Sequence, residues 1–236
     1  MKHIPFKSLY SVKHGWLQSH FHFSFAEYYD KKNMHYGVLR VMNDDTIQAH
    51  TGFATHPHRD MEIITYIIEG ELTHEDSMGN KETLSRGSMQ YLSAGTGITH
   101  SEYNEGDVTV HLLQIWILPR EDGLLPQYGS RTFTKEARHN KWLHLIASEG
   151  ASHVTTIYQD ANIYVTELDM GKTLTCGVTP DRQVYVKVME GDVNINGTEY
   201  REGDAGEIEG EDLTVLALND AHILVVEMSK ESLTYV

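Results

Sequence analysis

Cysteine is nearly missing from this chain: Cys176 is the only one in 236 residues, so no disulfide can form within it. That composition fits a reducing compartment, and a lone thiol is more often a small buried apolar group than a nucleophile. Long apolar runs are missing too. At a mean hydropathy of −0.40, nothing approaches the roughly 20 apolar residues of a membrane helix. The opening Met1-Lys2-His3-Ile4-Pro5-Phe6 carries no apolar stretch of signal-peptide type, and the expected location is the cytoplasm. Basic residues are scarce as well, 19 against 34 acidic ones for a net charge of −15, and they form no cluster. Direct binding to nucleic-acid phosphates is therefore excluded. Between Glu199 and Asp212 seven acidic residues face one counter-charge, Arg201, which reads as a solubilising surface.

What the chain does contain is short β-rich runs separated by turn residues. Glu62–Ile68, Val108–Leu118, Ile163–Leu168, Val184–Met189 and Ile223–Met228 alternate with Glu69-Gly70, Met78-Gly79-Asn80, Glu190-Gly191-Asp192 and Asn196-Gly197. A hydrophobic content of 40% supports a real core. One short helix is expected near Thr134–Asn140, and the segment Leu118–Gly129 reads as a connector. His58–Gly70 can be laid without a gap over Thr179–Gly191, each a β-rich run closing on Glu-Gly. This repeat predicts two related all-β domains in tandem, residues 1–125 and 126–236.

Two residue pairs carry the chemistry, His56-Pro57-His58 and His100-Ser101-Glu102. Residues one apart on a strand share a face, so each pair points one way. Three imidazoles and a carboxylate suit one divalent first-row transition metal, with Mn, Fe, Co, Ni, Cu and Zn all compatible. In the second half His56, His58 and Glu62 are matched by Gly177, Thr179 and Gln183, so a metal site is expected in the first domain alone. Glu62 has the ligand-face parity if its strand runs unbroken from His56, and a bulge would reverse it. His20-Phe21-His22 sits in an aromatic run and reads as a partly buried strand. His74, His111, His139, His144 and His222 are isolated, and Glu75-Asp76 reads as loop. Phe53, Met89 and Ile115 are the candidate apolar walls of a pocket suited to a flat aromatic ligand.

The stretches Gly52-Phe53-Ala54-Thr55-His56-Pro57-His58 with Glu62 and Gly70, then Gly87, Gly95-Thr96-Gly97, His100 and Asn104, resemble the two cupin motifs. THPHRDMEIITYIIEG and MQYLSAGTGITHSEYN resemble the pirin branch, specifically bacterial pirin-like proteins with quercetin 2,3-dioxygenase activity. Only three residues separate Gly52 from His56, and Gly95 replaces the usual cupin proline; both departures fit that branch. The resemblance implies a bicupin of two jelly-roll β-barrels with a degenerate C-terminal cupin. It also implies one metal, usually iron as Fe(II), on His56, His58, His100 and Glu102. The implied reaction is oxygen-dependent cleavage of a flavonol-like ring, with Glu102 or Glu62 as proton acceptor and Glu62 placed behind the ligands. A pirin-like metal-bound redox sensor acting on a regulatory protein partner is the alternative class. A cupin isomerase or hydrolase using the metal only as a Lewis acid is a third.

Overall fold

The computed structural model describes residues 1–148 and 154–230. Among the described residues helix is confined to one α-turn, Lys135–Arg138 following Thr134, and a 3-10 turn at Phe6–Ser8. The first half contains β1 (Lys2–Ile4), β2 (Tyr10–His14), β3 (Leu17–Phe21), β4 (Leu39–Ile47), β5 (Thr51–His58) and β6 (Glu62–Glu69). Then come β7 (Glu71–Asp76), β8 (Lys81–Ser85), β9 (Ser88–Ser93), β10 (Ile98–Asn104), β11 (Val110–Ile117) and β12 (Gln127–Thr132).

These strands belong to two compact units. The N-terminal unit comprises Tyr10–His35 and Leu39–Phe133, and the C-terminal unit takes residues from 134 onward with Met1–Leu9 and Tyr36–Val38. A cut between 125 and 126 differs from this division in three segments. β12, past that cut, pairs with β9 from Gln127↔Ser93 to Thr132↔Ser88. β1 pairs antiparallel with Ala205–Glu209, and Tyr36 donates its hydroxyl to the Glu209 carboxylate at 3.3 Å. Strand pairing ignores chain order, so a linker-like composition does not mark the boundary.

The N-terminal unit faces a seven-stranded sheet, β12-β9-β6-β11-β4-β3-β2, with a four-stranded one, β5-β10-β7-β8. The C-terminal unit repeats the plan with seven and four strands. Arg182–Glu190 holds there the third place that β6 holds in its own sheet, ending at Gly191 (φ +78) as β6 ends at Gly70 (φ +75). The sequence repeat is thus a repeat of position in the sheet. Gly70 needs both its φ and its missing side chain, since a Cβ there would lie 2.8 Å from the Thr109 carbonyl oxygen.

Inside the N-terminal unit, alternation sorts the side chains into layers. Ile47, Ile67, Leu72, Leu84, Val110 and Leu112 form an apolar floor with Phe53 and Trp16 against it. Ile63, Leu92, Ala94 and Ile98 form a second apolar cluster with Met61, Trp116 and Tyr128. Between these two lies a polar layer contributed by both sheets, and the candidate site is there.

Candidate metal centre

A bulge shapes the floor of the site. His56 pairs with His100, but Phe53 pairs with Glu102, so three steps along β5 match two along β10. One extra residue has been inserted, and the strand bends. Paired residues share a face, so the bulge turns His56, His58 and Phe53 all to the side of His100 and Glu102. Gly52 permits the close approach: a Cβ on it would collide with the Glu102 carbonyl oxygen and the Tyr103 backbone.

His56, His58 and His100 each aim one ring nitrogen at a common point, with the three atoms within 4.8 Å of one another. The ring centroids of His56 and His100 are 4.5 Å apart, and that of His58 is 4.8 Å from each. His100 is buried at 1% exposure, whereas His56 and His58 are half-buried and leave the site open on their side. Burial first, and the neighbouring imidazoles second, push His58 down to about 4 and His100 to about 3. Both rings are therefore neutral at pH 7, the form that ligates a metal.

The tautomers follow from the partners. His56 Nδ1 lies 2.8 Å from the Ala54 carbonyl oxygen, which only accepts, so Nδ1 carries the proton and Nε2 the lone pair. That Nε2 faces His100 Nε2 at 3.1 Å. Two ligand nitrogens at right angles around a cation, each about 2.1 Å from it, would stand about 3 Å apart. The donor set fits a first-row divalent ion in type and in spacing.

Glu102, 2% exposed, is held from the opposite sheet. Gln90 Nε2 donates to its Oε1 at 2.5 Å, Thr65 Oγ1 to the same oxygen at 3.2 Å, and Gln114 Nε2 to Oε2 at 2.9 Å. Its ligand atom groups with those of His74 and His100, apart from the three-imidazole set. Asp45 lies deeper in the same layer, fully buried and taking the Ser19 hydroxyl. Its burial pushes the carboxyl up to about 7, with Asp44 and Glu102 adding to the effect and Ser19 and His111 opposing it.

Three sequence expectations are corrected. β5 ends at His58, and the chain turns through Asp60 (φ +48) before β6, so parity does not carry through to Glu62. The Glu62 carboxylate accepts from Tyr91 Oη at 2.7 Å and Ser93 Oγ at 2.9 Å, on the face of β6 opposite Thr65. It neither joins the ligand groups nor contacts the site histidines through these bonds. Met89 and Ile115 are fully buried but stand next to Gln90 and Gln114, which face the site, and so point out of the other face of the sheet. Phe53 alone of the three expected wall residues is at the site, its ring 6.3 Å from that of His56.

Sequence reasoning passed over others. Trp116 sets its ring edge-on to His58 at 5.0 Å, and its buried indole nitrogen has no hydrogen-bond partner among the described residues. His74 lies behind His100 with the two Nδ1 atoms 3.3 Å apart, and its Nε2 is 3.1 Å from Asp76 Oδ2. The signal was present: His74 and Asp76 are one residue apart, as are the other two pairs. Desolvation works against the Asp76 carboxylate, but hydrogen bonds from Asn80, His74 and the backbone of Asn80 and Met78 hold it below the usual carboxylate range. His20 and His22 belong to no candidate metal group among the described residues.

Two jelly rolls, the first with a trio of imidazoles at its mouth, define a bicupin carrying a candidate metal centre. The chain belongs to the pirin family: residues 5–117 match the Pirin model and residues 133–228 match the Quercetinase C-terminal cupin domain. The quercetin 2,3-dioxygenase of Escherichia coli K12 is 42% identical over 219 residues, spanning 92% of this chain and 94% of that one. A pirin-like protein of Caulobacter vibrioides is 42% identical over 225 residues, 94% of this chain and 97% of its own. The crystal structure of the E. coli bacterial pirin YhhW in complex with nickel(II) superposes with a TM-score of 0.90 at 37% identity, covering 96% of this chain and 98% of that one.

Proposed function

We propose that this chain is a metal-dependent dioxygenase of the quercetin 2,3-dioxygenase type, acting on a flavonol-like substrate with O2 in its N-terminal cupin. The observation that carries this reading is the convergence of the His56, His58 and His100 ring nitrogens beside a buried carboxylate. The name of the E. coli relative and the nickel(II) complex of YhhW support it. His56, His58 and His100 would hold the ion, with Glu102 closing the set from the inner side. Fe(II) is the proposed native ion, and the nitrogen and oxygen donors suit it. A divalent cation there supplies a Lewis acid that lowers the pKa of a bound hydroxyl and favours the electron-rich flavonolate.

The protein's own groups do the rest. Glu102 Oε2 has one donor, Gln114, and keeps a lone pair to take the substrate's hydroxyl proton. Gln90 and Thr65 on Oε1 hold the carboxylate in place while the proton arrives. Phe53 and Trp116, whose rings lie beside His56 and His58, offer apolar ring surface to a flat aromatic ligand.

The test is elemental analysis of the purified protein followed by quercetin assays with and without oxygen. We expect about one transition-metal ion per chain and oxygen uptake, with both lost in His56→Ala and His100→Ala. Oxygen uptake undiminished in either variant would remove the mechanism.

A further inference from the structure

We propose that His74 and Asp76 are positioning residues that fix the tautomer of His100, so that its Nε2 always presents a lone pair to the ion. The inference rests on the metal-site reading above and adds residues that touch no ion. Asp76 is a carboxylate and only accepts, so the proton between it and His74 belongs to His74 Nε2, 3.1 Å from Oδ2. With its ring proton on Nε2, set by that bond, His74 offers the lone pair of Nδ1 as an acceptor. That lone pair faces His100 Nδ1 at 3.3 Å, so the proton there belongs to His100. With Nδ1 protonated, the lone pair of His100 is on Nε2, the atom that faces His56 Nε2. The direction of donation runs without interruption from His100 to Asp76, the logic by which a buried carboxylate sets an imidazole in other sites.

The three groups are built to stay in that order. Cross-strand pairing sets His74 opposite Glu102 and Asp76 opposite His100, which puts both β7 side chains on the face of the site. The His74 ring stacks on Tyr128 at 4.4 Å and 9°, which holds its plane, and the bond to Asp76 Oδ2 selects between the two flips of the ring within that plane. Asp76 Oδ1 is fixed separately by the backbone nitrogens of Met78 and Asn80, at 2.9 and 3.1 Å. The His74 and Asp76 side chains are fully shielded from solvent, so no water competes for these bonds.

The grouping of His74, His100 and Glu102 also admits a rival role, with His74 as ligand of a second ion. Substitutions separate the two. Asn at position 74 keeps an acceptor near the Nδ1 position but gives up the imidazole, whereas Leu removes both. His74→Leu is expected to weaken Zn(II) or Ni(II) binding about 10–100-fold, and His74→Asn to restore most of it. Long-range 1H–15N spectra of the metal-free protein are expected to show His100 as the Nδ1–H tautomer in wild type and in His74→Asn. His74→Leu should give a mixture. Two ions per wild-type chain, equal losses of affinity in the Asn and Leu variants, or an Nε2–H tautomer in the metal-free wild type would each overturn the proposal. Because the tautomer is read without metal, its failure is distinct from a failure to bind any ion. If His74→Leu does not fold, the wild-type spectrum and the Asn variant still decide the matter.

Discussion

At the scale of single residues the site is a contest between burial and charge. Neutral imidazoles tolerate the interior of the barrel, and those of His58 and His100 are held neutral by it. Asp45 is the costly case. Its folded pKa of about 7 lies above the ordinary 3.8, so the native state binds the proton more tightly than the unfolded chain. The sign follows: Asp45 costs nothing below pH 4 and destabilises increasingly as pH rises to about 7. The cost levels off above that, at a size on the order of 4 kcal/mol. The histidines run the opposite way, losing stability as pH falls from 6.5 toward 3–4. A comparison of wild type with Asp45→Asn isolates the carboxyl: urea melts should show the variant gaining on wild type between pH 5 and pH 8. A difference that does not change with pH would show that Asp45 ionises freely.

Also at this scale, Gln90 and Gln114 orient Glu102 from across the barrel. Gln90→Leu leaves a buried carboxylate short of a donor, a loss of about 1–3 kcal/mol in thermal or urea unfolding. Affinity for the ion should fall with it. Unchanged affinity would place Glu102 outside the coordination set.

At the scale of elements, the bulge in β5 and the break at Asp60 decide what the sequence could and could not reveal. The pairs His56/His58 and His100/Glu102 were legible because period-two alternation holds within each short strand. Parity failed at Glu62 because Arg59–Met61 interrupts the strand there, and a one-residue change of register reverses every side chain beyond it. Met89 was misplaced for a related reason: β9 is buried on both faces, and burial gives no way to choose between them. Ile115 was misplaced because Leu112-Leu113 and Ile115-Trp116 put apolar residues on both faces of β11. His74 escaped notice because its partner, Asp76, opens a turn and carries turn-like neighbours. The element that tests this account is the contact of β5 with β10. Gly52→Val forces these strands apart beside Glu102, and we expect a loss of 2 kcal/mol or more together with loss of metal affinity. Retention of both would mean that the close approach does not set the site.

At the scale of the whole molecule, duplication has kept the scaffold and divided the chemistry. Both units carry a seven-stranded and a four-stranded sheet, and the repeated segment holds the same rank in each. Where the first has histidines, the corresponding positions of the second hold Gly177 and Thr179, and both candidate metal groups among the described residues lie in the N-terminal unit. The C-terminal interior has an apolar cluster around Val184, Val186, Ile223 and Val225. At the end of its central strands it has an ion network in which Arg182 joins Glu227 and Asp160. The tandem plan was visible in the repeat, whereas the crossing of β1 into the C-terminal unit has no counterpart in composition.

The central claim, that one cation sits among His56, His58 and His100 with Glu102 beside it, is tested most directly by anomalous diffraction from crystals of the metal-loaded protein. The account predicts a single strong peak about 2.0–2.2 Å from the three ring nitrogens. A peak between His74 and His100 instead, or none at the three imidazoles after loading, would contradict it.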